Sequence, residues 1–178
     1  VASWNAWAID GLVTAAMVFG ERDWLERATR AAEYLWGVHV TPDGLVRTSL
    51  DGVAGDVGGF ADDYGAVALA FGRLAGVWGD SVWLDRAVLL LDQALERFGD
   101  PDGGFHDAAE GDLFTRPRDV QDNPTPSGTN ALVAALRLVG LLADRADLLE
   151  RADAAARTTW GTVAAFPRSA PAALTDVL

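Results

Sequence analysis

The sequence predicts an all-α protein of three tandem helical hairpins, half of a closed ring of six. Three observations predict it: a repeat of about 60 residues, helical segments that alternate between apolar and amphipathic, and connections that alternate between short and long. "WLERA" at 24–28 returns as "WLDRA" at 83–87, and more loosely as "LLERA" at 148–152. "TPDGL" at 41–45 returns as "DPDGG" at 100–104. The first two pairs share an offset of 59 residues, and the third helical copy follows 65 further on.

The first helix of each unit covers roughly 4–19, 61–78 and 127–143. These segments are apolar nearly all round, as in Leu12, Val13, Ala15, Ala16, Val18 and Phe19, or Val67 to Phe71. A helix without a polar face is normally buried on all sides, so these are the inner helices. The second helices, roughly 22–39, 80–98 and 145–160, are amphipathic. In the first of them Arg22, Glu26, Arg27, Arg30 and Glu33 form a polar stripe opposite Trp24, Leu25, Ala28, Leu35 and Trp36. Inner-to-outer turns are short (Gly20-Glu21, Gly79-Asp80, Ala143-Asp144), whereas the outer-to-inner connections, roughly 40–60 and 99–126, are long. Structureless loops of that length are uncommon unless functional or disordered. The alternation gathers the long loops at one end, with the N-termini of the inner helices, and a site is expected there. Such hairpins close as an (α/α)6 toroid, of which this chain supplies one partial domain over 1–178: hairpins at about 4–39, 61–98 and 127–160, and a tail at 161–178.

Composition narrows the function classes. Half of the residues are hydrophobic, and 26 acidic against 14 basic residues give a formal net charge of -12. Such a surface repels phosphate backbones and anionic lipid, so neither nucleic acid nor a membrane is expected as a partner. The absence of cysteine removes disulfides and thiol ligands and fits a cytoplasmic protein. No apolar run reaches the roughly 18 residues that span a bilayer. The chain starts at Val1 rather than Met and reads as cut from something longer.

Several stretches together resemble one family: "SWNAWAIDGLVTAA" (3–16), "GFADDYGAVALAF" (59–71), "DPDGGFHDA" (100–108), "RPRDVQDNPTPSGTNALVAALRL" (116–138) and "AFPR" (165–168). In that order they are similar to the C-terminal half of the thioredoxin-domain-containing family, which includes the spermatogenesis-associated thioredoxin-like proteins. His106 and Trp7 depart from its pattern, where Tyr or Phe and a small residue are expected. The resemblance implies a thioredoxin-like domain followed by a six-hairpin toroid like those of N-acylglucosamine 2-epimerases and glycosidases. It implies a fold and leaves the activity open.

Asp62, Asp63 and Tyr64 open the second inner helix. Asp62 reads as its N-cap and Asp63 as a complement to its dipole. Alternatively, Asp63 and Tyr64 hydrogen-bond and stack on a polyol in the funnel, with Asp63 as a catalytic carboxylate. Glycoside hydrolysis needs a second carboxylate, about 5–5.5 Å away for retention or about 6.5–9.5 Å for inversion. Asp107, Asp119 and Asp122 in the second long loop are placed to supply it. His106 and His39 are the only histidines; His106 lies at the site end and suits the acid–base work of a sugar epimerase, whereas His39 closes an outer helix. In "RPRDVQDNPTPSGTN", Thr125 or Ser127 caps the third inner helix and Gly128 permits close approach. Arg116, Asp119, Asp122, Ser127 and Asn130 then either stitch a packed loop or line a lid, with Arg116 as an anion binder. Trp4 and Asn5 complete the ring of inner N-termini; Trp4 reads as core, with a stacking platform as the alternative. No metal-ligand spacing appears, and no cofactor is expected.

The expected function is a carbohydrate-active or carbohydrate-binding toroid segment, glycosidase-like or epimerase-like if it is an enzyme, with a saccharide as ligand. The alternative is a noncatalytic scaffold or protein-interaction module. The open edge of a half-ring predicts that a second copy, or the missing N-terminal part of the same protein, completes it.

Overall fold

A computed structural model describes residues 1–109 and 115–175. The first hairpin joins α1 (Ala2–Phe19) to α2 (Arg22–Tyr34), which runs on through one π-helical turn at Leu35–His39. The second joins α3 (Ala61–Trp78) to α4 (Ser81–Phe98), and the third joins α5 (Gly128–Leu142) to α6 (Ala146–Ala165). The tight turns have one chemistry. Gly20 and Gly79 close α1 and α3 at φ 72 and 64, values that favour glycine. In the third hairpin Asp144 takes the left-handed position at φ 52, one that Asp tolerates better than most residues. Asp80 caps α4 by accepting the Val82 amide at 2.9 Å, and Ser127 caps α5 by accepting the Asn130 amide at 3.3 Å.

The inner helices stand in a row with α3 in the middle, packed against α1 on one side and α5 on the other. Tyr64 and the run Ala66 to Phe71 are buried, as the apolar sequence of α3 requires. Phe71 packs against Trp83 and Trp36 at centroid distances of 5.1 and 6.3 Å, tying α3 to both neighbouring outer helices. A Cβ at Gly65 would stand 2.6 Å from the Leu132 amide nitrogen, so glycine lets the α3 and α5 backbones touch.

Three expectations change. Helix α1 is apolar but not buried all round: Trp4, Met17, Val18 and Phe19 are each at least 62% exposed, because only one inner neighbour covers it. The first long connection is not structureless. It folds into two small antiparallel hairpins, β1 (Val40–Thr41) with β2 (Gly44–Leu45) and β3 (Ser49–Leu50) with β4 (Val53–Ala54). The third outer helix continues to Ala165, and the tail adds a 3-10 turn (Pro167–Ser169) and a short α7 (Pro171–Thr175). The end of the tail, 176–178, and part of the second long loop, 110–114, lie outside the described residues.

Candidate functional site

The inner-helix N-termini are held by carboxylates, beginning with Asp63. Its side chain is fully buried. Oδ1 accepts the Ser3 amide of α1 at 2.9 Å; Oδ2 accepts the Phe60 amide at 3.1 Å and Arg47 Nη1 at 2.5 Å. Phe60, not Asp62, occupies the N-cap position of α3; its amide donates to the Asp63 carboxylate and its carbonyl accepts the Asp63 amide at 3.0 Å. Asp62 instead meets Arg47 Nη1 at 3.1 Å. Burial pulls the Arg47 pKa down, but the facing Asp63 and Asp62 charges outweigh it and hold the guanidinium above its ordinary value. Arg47 also lies over the Phe60 ring, 4.7 Å from its centroid. Tyr64 is buried with its hydroxyl accepting the Leu45 amide at 2.8 Å and its ring 5.3 Å from that of Phe98.

Asp107 meets this cluster from the second long loop. Its carbonyl accepts the Ala61 amide at 2.9 Å, and its Oδ2 accepts the Asp119 amide at 2.8 Å. The Asp107 carboxyl is pushed up from the ordinary range, chiefly by burial and further by the Asp119 and Asp62 charges; the Asp119 amide and His106 oppose this. Phe60, Asp62, Asp107, Asp119, Asn123 and Ser127 line one cleft of about 260 Å³ at the N-terminal ends of α3 and α5. A Cβ at Gly128 would lie 3.4 Å from Asp107 Oδ1 and only 2.8 Å from Ala61 Cβ, so glycine keeps this wall close without filling it.

A second cleft, of about 510 Å³, lies between the β-hairpins and the C-terminal end of α4. Asp56, Gly58, Gly59, Tyr64, Arg97 and Ala108 are among its walls, and Phe60 belongs to both clefts.

The remaining candidates fall elsewhere. Asp122 is a clamp: Oδ1 accepts the Ser127 amide and Asn130 Nδ2, both at 2.8 Å, and Oδ2 accepts the Ala172 amide of α7 at 2.8 Å. Arg116 donates to the Ala108 carbonyl from Nε and Nη2 at 3.1 and 2.9 Å, and to the Arg97 carbonyl at 2.7 Å. It fixes the loop beside Asp107. His106 Nε2 lies 2.6 Å from Asp100 Oδ2, while its buried Nδ1 meets no hydrogen-bond partner among the described residues. Trp4 and Asn5 are exposed on the first turn of α1, where Asn5 Nδ2 donates to the Val1 carbonyl at 2.8 Å. His39 is buried, with Nδ1 2.8 Å from the Val46 carbonyl. Among the described residues no group of three or more His, Cys, Asp or Glu side chains could hold a metal ion, and no helix is long and apolar enough to cross a membrane.

Sequence reasoning reached Asp62, Asp119 and Ser127 in the cleft and named Asp107 only as one of three possible second carboxylates. Phe60 and Asn123 escaped it. The available signal for Phe60 was an aromatic placed immediately before an acidic first turn.

No family model matches the chain. Spermatogenesis-associated protein 20 of Rattus norvegicus is 31% identical over 155 residues, covering 79% of this chain and 20% of its own length. The Homo sapiens protein of the same name is 29% identical over 143 residues, covering 73% and 18%. The chain thus spans about a fifth of the length of these relatives. Among solved structures, a GH76 alpha-mannanase of Bacteroides thetaiotaomicron superposes with TM-score 0.71 at 18% identity, over 90% of this chain and 44% of that one. A D-mannose isomerase superposes with TM-score 0.68 at 18% identity, over 88% and 40%. At this identity the likeness establishes the fold: three hairpins corresponding to rather less than half of an (α/α)6 toroid chain.

Proposed function

We propose that this chain, a member of the thioredoxin-domain family of spermatogenesis-associated protein 20, contributes a saccharide-binding mouth to an (α/α)6 toroid. The observation that carries the reading is the cleft at the N-termini of α3 and α5, where the half-buried Asp107 carboxyl, its pKa raised, stands with Asp62, Asp119 and the Phe60 ring. Carboxylates, an amide and a hydroxyl beside an aromatic ring suit a polyol with an apolar ring face. A raised carboxyl beside a charged one is also the division of labour that glycoside chemistry uses: one holds a proton for the leaving oxygen, the other stabilises charge or activates water. In this reading Asp107 is the proton holder and Asp62, paired with Arg47, is its partner. Asp63 and Tyr64 position Arg47 and the first long loop. The names of the structural neighbours, a mannanase and a mannose isomerase, select the first probes.

Titration calorimetry with D-mannose and an α-linked mannotriose tests it. Binding that Asp62→Asn and Asp107→Asn each weaken at least tenfold supports the reading. Binding that neither variant alters, or no binding at all, removes it.

The exposed apolar face of α1 favours one addition, that a second copy covers this edge of the row. Light scattering would then give a mass near twice 18.8 kDa. A monomeric mass assigns the edge to another part of the full-length protein or to a protein partner.

A further inference from the structure

The two clefts share walls on both sides. Phe60 lines each of them. Its neighbours on one side, Gly58 and Gly59, belong to the larger cleft, and Asp62 on the other side belongs to the smaller. Across from them the chain does the same. Asp107 faces the smaller cleft, and Ala108 and Ala109 face the larger. Both walls therefore pass from one cleft to the next within three or four residues. The boundary is also stiff. Arg47 stacks over the Phe60 ring while bonded to Asp62 and Asp63, and Arg116 holds the Ala108 carbonyl with two nitrogens.

From this juxtaposition we infer that the clefts are successive subsites of one groove, and that its ligand is an oligosaccharide chain crossing Phe60 rather than a single sugar. This rests on the saccharide reading above. Size supports the longer ligand: small-molecule sites usually occupy about 300–1,000 Å³. The Asp107 cleft, at about 260 Å³, lies just below that range and the adjoining cleft, at about 510 Å³, within it, so the two together have room for more than one sugar unit. The larger cleft has the chemistry of a subsite. Gly58, with no atom within 4 Å of where a Cβ would stand, leaves the backbone open to a ring, and Asp43, Asp56 and Arg97 supply polar groups along the walls. Phe60, still 39% exposed, is placed for one sugar face to pack on it as the chain passes.

The test is a length series on the full chain: D-mannose, α-linked mannotriose and α-linked mannohexaose by titration calorimetry. The hexasaccharide is expected to bind at least tenfold more tightly than the monosaccharide. Asp56→Ala, an exposed change confined to the larger cleft, should draw that ratio toward one, and Phe60→Ala should do so independently. Equal affinity at every length overturns the continuous groove and leaves the saccharide reading standing. A length advantage that Asp56→Ala and Phe60→Ala both leave intact also overturns it, because the added units must then bind elsewhere. Failure of all three sugars to bind sinks both readings together.

Discussion

The Asp63 carboxylate accepts the Ser3 amide at 2.9 Å across 60 positions of sequence, so one buried side chain ties together the first turns of two inner helices. The same carboxylate holds Arg47 and the Phe60 amide. Asp63→Ala strands two backbone donors and removes the closer of the two carboxylates facing Arg47. Arg47 keeps Asp62 as a partner, and the stranded donors cost about 1–3 kcal/mol. Urea denaturation should show a loss of that size, with saccharide binding falling as a consequence of the opened mouth.

Gly65 carries a steric prediction. An added methyl would meet the Leu132 nitrogen at 2.6 Å and the Ala131 carbonyl carbon at 2.7 Å, both backbone atoms that cannot turn aside. Helix propensity alone would favour Ala over Gly by about 1 kcal/mol. Overpacking costs about 1–3 kcal/mol and more against backbone, so the expected sign is destabilising. A thermal melt of Gly65→Ala checks it; a rise in Tm would mean that α3 and α5 separate readily.

Asp107 predicts a pH dependence. Its folded pKa is raised, so the folded state holds the proton more firmly than the unfolded chain does. Its contribution to stability is therefore most favourable below the ordinary carboxylate pKa, and it is lost as pH rises through the folded value. Asp107→Asn removes that dependence while keeping an oxygen for the Asp119 amide. The variant should be more stable than the parent at pH 7, with the difference shrinking as the pH falls below 4. Paired chemical denaturation at the two pH values reads this, and a difference that grows toward acid would contradict it.

Asp122→Ala should loosen two places at once. It takes an acceptor from Ser127 and Asn130 at the start of α5 and from Ala172 in α7. The cap itself, the Ser127 hydroxyl, stays, and leaving such donors without their acceptor costs about 1–3 kcal/mol. Hydrogen exchange should quicken at Ala172 as well as at Ser127; protection lost at only one of them would show that the clamp is not shared.

The hairpins were legible because their signals are local. Repeated "WLERA"-type motifs, apolar against amphipathic periodicity and glycine at the tight turns fixed the helix limits to within a few residues. Asp62 was misplaced as the cap of α3 because sequence ranks residues by capping preference. The Phe60 amide donates to the Asp63 carboxylate, which lets an aromatic fill that position without an acceptor of its own. The Asp63–Ser3 bond joins residues almost one repeat apart, and nothing local announces it. The importance of Asp107 was hidden for a similar reason. Its raised pKa comes from burial and from Asp62 and Asp119, neighbours that only the folded loop assembles. The exposure of Trp4 and Phe19 follows from where the row of helices stops, which a periodicity within one helix does not report.

The carboxylate of Asp122 has one oxygen on the rim of the cleft and the other on the closing helix of the chain. It works as a rigid coupling some 50 residues downstream of which the tail is anchored. Ser127, which lines the cleft with Asp107, and Ala172 in α7 thus depend on the same side chain. A single carboxylate is the common fastening of the cleft rim and the tail, and whatever removes it reaches both.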